Sequence, residues 1–237
     1  MPDLALPEGV RWHTGESPQA VAHDLADTVA GVLRARLERP GRASLAVSGG
    51  STPLPFFETL ARAGLDWSRV DVMLADERWV PEDNPASNTA LVRRHLLQGP
   101  ASAARYLNLK QPGQTPAEGL AAVNAELSQA SWPLDVLVLG MGNDGHTASL
   151  FPDAPELAPA LDPKGAERVA AMNPRSQAEA RITLTRPVLA AAGFTALHLK
   201  GRDKLETLGR ALAAPADESD MPIRAFLRPG LTIYWSE

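Results

Sequence analysis

Short apolar runs alternate with helix-like stretches along most of this chain, and this alternation restricts the fold more than any other feature of the sequence. The first helix-like stretch begins at Ser17-Pro18 and ends at Pro40-Gly41. An apolar run at Ser44–Val47 follows, then two glycines, and then a second helix-like stretch from Ser51 through Ala63. Strands that alternate with helical patterns are typical of βαβ units with a parallel sheet. The sequence therefore predicts an α/β fold.

The same alternation continues to the end of the chain. A loop is predicted after the strand Val70–Ala75 and extends to Ala86. Further strands are predicted at Val70–Ala75, Tyr106–Leu109, Asp135–Leu139, near Val169, near Ile182, at Thr195–Leu199 and at Leu231–Trp235. Further helices are predicted at Asn88–Leu97, Thr115–Ala130, Pro187–Ala192 and Arg202–Ala213. The linker-like stretch Ala213–Asp220 lies too close to the C-terminus to separate a second domain. We expect one domain over residues 1–237, with a single doubly wound, mainly parallel sheet and helices on both faces.

The net charge of −5 and the absence of cysteine limit the functions that the chain can serve. A nucleic-acid-binding face needs clustered basic residues, so we expect no nucleic acid partner. Without cysteine the chain has no disulfide, no thiolate nucleophile and no sulfur ligand for zinc. No stretch approaches the roughly 18 apolar residues of a membrane span, and the N-terminus lacks the pattern of a signal peptide. We therefore expect a cytoplasmic protein, without a membrane partner, that holds any anionic ligand through local contacts.

The segment Val47–Pro53, which reads VSGGSTP, lies where a predicted strand gives way to a helix. Gly49 and Gly50 let the backbone approach a ligand closely. The hydroxyls of Ser51 and Thr52 and the free amides at the helix start can donate hydrogen bonds to an anion. The segment matches neither GxGxxG nor GxxxxGK[ST], which argues against a dinucleotide or Walker site. It predicts a phosphate cradle, although a turn with a helix N-cap explains the same residues equally well.

The segment Ala75–Pro81, which reads ADERWVP, follows the next predicted strand. In open α/β sheets the carboxyl ends of the strands face the ligand crevice. Arg78 is suited to hold an oxyanion or a phosphate, and Asp76 or Glu77 can fix it or bind a sugar hydroxyl. An ordinary surface loop is the alternative.

The segment Leu137–Pro152 reads LVLGMGNDGHTASLFP, in which an apolar strand enters three glycines interleaved with Asn, Asp and His. His146 is the only histidine in such a setting, and we interpret the other four as surface or packed side chains. Histidine at the mouth of a crevice is suited to act as a general base. A covalent route is less favoured because the chain has no Cys and no GxSxG motif, but Ser48 and Ser51 stay open as nucleophiles. With Asp144, His146 makes only two metal ligands, so no metal is expected.

Two segments in the C-terminal half offer further cations. They read RITLT from Arg181 and LKGRDK from Leu199 to Lys204. Cations at these strand and helix ends can converge on a phosphate in an otherwise acidic protein. Taken alone, the pattern is explained better by solvated surface residues.

Together these segments resemble the 6-phosphogluconolactonase family and its wider superfamily of sugar-phosphate isomerases and lactonases. The matching motifs occur in the family's order, with DGHTASLFP as the most specific: VSGGSTP, ADERWVP with Ser87-Asn88 downstream, LGMGNDGHTASLFP, RITLT and the GxxK pattern at Gly201–Lys204. The resemblance implies a Rossmann-like single domain, no cofactor, and hydrolysis of 6-phospho-D-glucono-1,5-lactone in the oxidative pentose phosphate pathway. The implied partner is a small sugar phosphate. The motifs do not encode an oligomeric state, and a monomer is slightly favoured.

The resemblance also assigns roles to individual residues. His146 would activate water as general base, Asp144 would orient the site, and Arg78 would stabilise the oxyanion. The positions assigned to substrate or phosphate binding are Gly49, Gly50, Ser51, Thr52, Asp76, Glu77, Asn88, Gly142, Asn143, Arg181 and Lys204. The stretch before RITLT reads NPRSQAEA, where relatives often have a Pro-rich run leading into arginines. Arg175 can therefore share or replace the role of Arg181.

Two alternatives to the lactonase follow from the same motifs. Glucosamine-6-phosphate deaminases of the superfamily typically carry an acidic residue after DGH, within an FNEP-like sequence. This chain has Ser149-Leu150-Phe151-Pro152 there, which favours the lactonase branch. A non-catalytic sugar-phosphate-binding protein is the second alternative, and His146 counts against it because such a protein needs no base.

Overall fold

The computed structural model describes residues 4–214 and 217–237 of the chain. Residues 215 and 216 of the predicted linker and residues 1–3 lie outside this range. The strands are β1 (Arg11–Thr14), β2 (Ala43–Val47), β3 (Val70–Leu74), β4 (Asp76–Arg78), β5 (Arg105–Leu107), β6 (Val136–Leu139), β7 (Val169–Met172), β8 (Arg181–Leu184), β9 (Phe194–Lys200) and β10 (Leu231–Ser236). The α-helices are α1 (Pro18–Leu37), α2 (Leu54–Leu60), α3 (Asn88–His95), α4 (Pro116–Leu127), α5 (Leu157–Leu161), α6 (Arg186–Ala190) and α7 (Arg202–Leu212).

Seven parallel strands form the main sheet, in the order β1-β10-β9-β6-β2-β3-β5. Every residue of β2, β3 and β6 is buried, so both faces of the sheet are covered at its centre. Strands covered on both faces are near-continuous apolar runs, which is the pattern that the sequence shows. The longest helix begins at Pro18, where the Ser17 side chain accepts a hydrogen bond from the Ala20 amide. The predicted parallel α/β fold is confirmed.

The strand order reverses direction at β2, and this reversal creates the crevice of the molecule. From β2 the chain proceeds to β3 and β5 on one side, and β6 is later added on the other side of β2. Ligands of open α/β sheets bind outside the carboxyl ends of the strands at such a switch point. Ser48 binds the loops together here, since its amide donates to the Val138 carbonyl at 3.0 Å and its Oγ accepts from the Gly140 amide at 3.3 Å. The loops after β2 and β6 are therefore neighbours.

Three strands form a second, antiparallel sheet in the order β4-β8-β7, which the sequence did not predict. We expected the strands near Val169 and Ile182 to lie in the main sheet, and a loop to follow the predicted strand Val70–Ala75. Instead, the charged residues Asp76–Arg78 of that loop pair with β8, so that Arg78 stands opposite Arg181. A strand of three charged residues carries no apolar signal, and its partner lies far along the chain. The pairing brings two of the predicted motifs together.

The other predicted elements are present, with ends that shift by a few residues. Besides β4, two other short elements were not predicted, the edge strand β1 and the helix α5. Among the described residues, none of the helices combines the length and the apolar content needed to cross a membrane.

Candidate active site

A cleft of about 340 Å³ opens at the carboxyl ends of β2, β6 and β9, with β4 and β8 on its other side. Eleven of the fourteen predicted site residues line it: Gly49, Gly50, Ser51, Thr52, Asp76, Arg78, Asn88, Gly142, His146, Arg181 and Lys204. The other three, Glu77, Asn143 and Asp144, contact residues of the cleft wall from behind. The predicted motifs thus converge on one site.

His146 lines the cleft and is in contact with Asp144. The ring Nδ1 of His146 lies 2.6 Å from Asp144 Oδ1, which also accepts the His146 amide at 3.1 Å. Burial alone would raise the pKa of Asp144, but the hydrogen bonds and the attraction of His146 outweigh it, so the pKa lies below its ordinary value. Asp144 is therefore ionised at neutral pH, and its contact with Nδ1 favours the neutral tautomer of His146 that carries the proton on Nδ1 and leaves Nε2 as the acceptor.

Glycines shape the loop around this pair. A Cβ on Gly142 would lie 2.1 Å from ring atoms of His146 and 2.7 Å from Asp144 Oδ1, so only glycine fits at this position. Gly145 has a φ of +83°, a conformation that glycine adopts without strain. Ala148 is also left-handed, with a φ of 49°, and its backbone lies in the wall of the cleft. Non-glycine residues held in this region are strained and cluster at functional sites.

Phe151 supports the ring of His146 and connects it with Arg181. The ring centroids of Phe151 and His146 are 3.9 Å apart at an interplanar angle of 23°. The Arg181 guanidinium lies over the Phe151 ring, 5.0 Å from its centroid. The motif SLFP after the histidine therefore supplies the surface on which the imidazole lies flat.

The glycine loop after β2 forms one wall of the cleft, as predicted. A Cβ on Gly49 would lie 2.0 Å from Asn88 Oδ1, so the missing side chain lets Asn88 reach the cleft. Gly50 has a φ of +95°, which turns the chain toward α2. The Asn88 Nδ2 group donates to the Asp76 carbonyl at 3.4 Å.

Neighbouring side chains of β4 point to opposite faces of the strand. Arg78 lines the cleft, where its Nη1 donates to the Ala86 carbonyl at 2.6 Å and its Nε has no partner in the described residues. Glu77 points away and is fully buried. Its carboxylate accepts the backbone amides of Arg78, Asn88 and Thr89 at 2.8, 2.9 and 2.6 Å. Burial raises the pKa of Glu77, although these hydrogen bonds oppose the change. The expectation that Glu77 contacts a ligand is therefore not met, because its carboxylate anchors the start of α3.

Arginine and lysine side chains give the cleft a positive character within a chain of net charge −5. Arg78, Arg181, Lys200 and Lys204 line it, against the single acidic side chain of Asp76. Arg181 is 5% exposed, and burial lowers its pKa, although the guanidinium stays charged. Its Nη1 lies 3.9 Å from Asp76 Oδ2, which also accepts the Ser149 hydroxyl at 2.6 Å. This balance suits an anionic ligand.

The neighbours of Lys204 and Arg175 separate their roles. Lys204 Nζ donates to Asn143 Oδ1, and Arg210 Nη2 donates to the Asn143 carbonyl at 2.6 Å. Asn143 thus positions Lys204 rather than lining the cleft. Arg175 is exposed and does not line the cleft, whereas Arg181 does.

His198 is the site residue that the sequence analysis missed, because we interpreted it as a packed side chain. It lies on β9, is 5% exposed, and lines the cleft. The rule that carboxyl ends of parallel strands face the crevice applies to β9 as it does to β2 and β6. This rule was the signal that could have found it.

The described residues show no nucleophile in contact with the histidine and no metal-binding cluster. The polar side-chain contact of His146 is with Asp144, and Ser48 Oγ instead accepts the Gly140 amide. Within the same part of the chain, no group of three His, Asp or Glu side chains is arranged to hold a metal. The arrangement can take a proton from water next to a bound anion.

Known proteins resemble the chain over nearly its whole length. The family model described as glucosamine-6-phosphate isomerases/6-phosphogluconolactonase matches residues 16–235. The 6-phosphogluconolactonase of Pseudomonas aeruginosa is 50% identical over 233 residues, which cover 98% of each chain. That of Pseudomonas putida is 46% identical and covers 98% of this chain and 96% of its own. The crystal structure of a 6-phosphogluconolactonase from Shewanella baltica matches with a TM-score of 0.93 and 41% identity, covering 98% of this chain and 100% of that one.

Proposed function

The chain belongs to the family of glucosamine-6-phosphate isomerases and 6-phosphogluconolactonases, and on this premise we propose that it hydrolyses 6-phospho-D-glucono-1,5-lactone to 6-phospho-D-gluconate. The reaction is a step of the oxidative pentose phosphate pathway. The observation that carries the proposal is the pairing of His146 with ionised Asp144 in a cleft lined by four cations. A base and an anion site together are what water attack on a phosphorylated lactone requires.

His146 acts as the general base in this proposal. Asp144 accepts a hydrogen bond from the protonated Nδ1 of His146, so Nε2 is free to take a proton from water. Phe151 fixes the plane of the ring through the stack at 3.9 Å. A positioned base of this kind typically contributes about 10²- to 10⁴-fold to the rate.

Arg78 serves the carbonyl end of the substrate. As water adds to C1, the carbonyl oxygen becomes an oxyanion, and a preorganised cation stabilises it more than it stabilises the neutral lactone. Arg78 is suited to this because one of its amino groups is held by the Ala86 carbonyl while its Nε has no partner in the described residues.

Arg181 and Lys204 bind the phosphate, together with the hydroxyls and amides of the loop from Gly49 to Thr52. Both cations line the cleft and both are held by neighbours, Arg181 by Gln177 and Lys204 by Asn143. Held side chains lose less conformational freedom on binding than free ones.

The bonds of the reaction balance without a cofactor. The water oxygen forms a bond to C1 while His146 accepts one of its protons. The tetrahedral intermediate then collapses, and the bond between C1 and the ring oxygen breaks. His146 returns its proton to that oxygen, which becomes the C5 hydroxyl, and the new carboxylic acid releases a proton to solvent.

The loop after His146 favours a lactonase over a deaminase. Ser149 replaces the acidic residue expected in a deaminase, and its hydroxyl is committed to Asp76. The two curated relatives at 50% and 46% identity are both named 6-phosphogluconolactonase. We therefore place the chain in the lactonase branch.

The proposal is tested by initial rates on freshly made lactone. Such lactones also open spontaneously, so each rate is compared with a blank without enzyme, following release of the acid. We expect a rate proportional to enzyme concentration above the blank, and no ammonia from glucosamine 6-phosphate. A rate equal to the blank contradicts the proposal, and ammonia release in its place identifies a deaminase.

We further propose that the chain acts as a single domain and as a monomer in the cytoplasm. Segments of both sheets and of α7 together build the one cleft, which supports a single folding unit. A phosphorylated sugar is charged and does not cross membranes freely, so the enzyme must share its compartment. One unfolding transition, the monomer mass in solution and recovery in the soluble cell fraction are the expected results.

A further inference from the structure

His198 is a cleft residue that the proposed mechanism does not use. It lies near the carboxyl end of β9 and is 5% exposed. In the sheet, Leu197 is paired with Leu139 of β6, so His198 stands next to Gly140, where the loop that carries His146 begins. It is one of the residues that line the cleft.

The ring of His198 has an aromatic neighbour but no polar partner in the described part of the chain. Phe56 meets it edge-on, with centroids 6.3 Å apart and an interplanar angle of 78°. The ring Nδ1 is buried without a hydrogen bond. Buried polar groups in native proteins are nearly always hydrogen-bonded, and exceptions often mark a function. Nδ1 is covered on all sides, so a ligand in the cleft can complete the hydrogen bonding of the ring only through its other nitrogen, Nε2.

The space beside His198 is open. Gly140 lies between His198 and Ser48 across the three adjacent strands, and a Cβ added there would meet only Ser48 Cβ, at 4.0 Å. A ligand in the cleft can thus approach the floor at this point without displacing a side chain.

The chemistry of His198 differs from that of the cations around it. Burial lowers the pKa of His198 to about 4, so the ring is neutral at physiological pH. A neutral imidazole has one donor and one acceptor, as a hydroxyl group does. The cations Arg78, Arg181 and Lys204 match the phosphate and the developing oxyanion, whereas His198 matches neither charge.

We propose that His198 hydrogen-bonds a hydroxyl of the sugar, and so recognises the part of the substrate that lies between the carbonyl and the phosphate. The inference rests on the proposed function, because that function places a polyhydroxylated ligand in the cleft. His198 is then a specificity residue, and it transfers no proton in the reaction.

The test separates sugar recognition from phosphate binding. Purified wild-type protein, His198→Phe and His198→Asn are titrated by calorimetry with 6-phosphogluconate and, separately, with inorganic phosphate. Phe keeps the shape of the ring without its nitrogens, and Asn keeps a donor and an acceptor. We expect His198→Phe to bind 6-phosphogluconate about 3- to 10-fold more weakly, the effect of one neutral hydrogen bond. Inorganic phosphate should bind unchanged, and His198→Asn should recover part of the loss.

Tyr234→Phe is the matched control. Tyr234 is paired with His198 on the adjacent strand, and its hydroxyl contacts Thr28 Oγ1 at 3.0 Å, outside the cleft wall. It therefore loses one hydrogen bond in the same region without touching a ligand, and both affinities should stay at the wild-type value.

Two results overturn the inference: equal affinity of wild-type and His198→Phe for 6-phosphogluconate, or equal weakening for both ligands, which indicates a distorted cleft. If the variants do not fold, ¹⁵N NMR of the wild-type ring decides. The ring nitrogens of His198 should shift with 6-phosphogluconate and not with inorganic phosphate, and no shift refutes the inference. Because these are binding measurements, a protein without lactonase activity contradicts the proposed function alone.

Discussion

Gly142→Ala tests whether the position of the His146 ring sets the rate. The added Cβ would lie 2.1 Å from two ring atoms, whereas ordinary contact begins at 3.4 Å, so the ring must move by about 1.3 Å. Asp144 Oδ1 would itself lie 2.7 Å from the new atom, so both members of the pair, now 2.6 Å apart, must leave their observed positions. A misplacement of about 1 Å costs on the order of 100-fold in rate. We therefore expect kcat to fall about 100-fold, with KM within about threefold, because the phosphate contacts are untouched.

Initial rates above the blank measure this loss, and calorimetry with 6-phosphogluconate measures ligand binding in the same preparation. Gly31→Ala is the control, since a Cβ there has nothing within 4 Å and the residue lies inside α1, away from the cleft. It should keep full activity and gain up to about 1 kcal/mol in stability. Full activity of a folded Gly142→Ala protein refutes the reasoning, because the base would then function away from its observed position.

Phe151→Leu removes the aromatic ring on which His146 and Arg181 lie. We expect kcat to fall about tenfold and the free energy of unfolding in urea to fall by about 1–3 kcal/mol. An unchanged kcat would show that Asp144 alone fixes the base. In Glu77→Gln an amide group replaces one carboxylate oxygen and faces either the Thr89 backbone amide or those of Arg78 and Asn88, so stability should fall by about 1–3 kcal/mol while KM stays within about twofold. A large rise in KM would contradict its placement behind the cleft. His198 makes stability depend on pH: burial lowers its pKa from 6.5 to about 4, so its neutral form stabilises the fold above pH 6.5 and this contribution is lost as pH falls toward 4. Relative to His198→Phe, wild-type protein should therefore lose about 3 kcal/mol over that range, and a difference independent of pH would contradict the burial of the ring.

The position of the two glycine loops in the fold could be predicted from the sequence because one rule locates them. Each follows a buried parallel strand, and carboxyl ends of such strands meet at one edge of the sheet. Glycines next to polar side chains at these ends then mark close approach to a ligand. The segments at Val47–Pro53 and Leu137–Pro152 carry this signal in full, and the structure places both at the switch point between β2 and β6.

The side of the strand on which each side chain of β4 lies could not be predicted, because the sequence did not predict a strand there. Asp76, Glu77 and Arg78 form a strand of three residues, and side chains alternate between the two faces of a strand. Asp76 and Arg78 therefore reach the cleft while Glu77 is buried behind it. Recognising this requires the antiparallel partner β8, which local sequence does not reveal.

His198 was missed for a different reason. An apolar strand with one histidine has the pattern of a packed side chain, and the ring is indeed almost fully buried. The rule for carboxyl ends of parallel strands could have placed it near the cleft, but the open space at Gly140, just after the neighbouring strand β6, is known only from the sheet order. Strand order in a parallel sheet depends on long-range pairing, which local pattern does not determine.

The hydrolysis rate of His146→Asn tests the central claim most directly. Asn removes the base and keeps a polar group of smaller size beside Asp144. Initial rates on 6-phosphogluconolactone, corrected for the blank, should fall at least about 100-fold, while calorimetry with 6-phosphogluconate gives an affinity within a few-fold of wild type. A folded His146→Asn protein that hydrolyses the lactone at the wild-type rate would contradict the account.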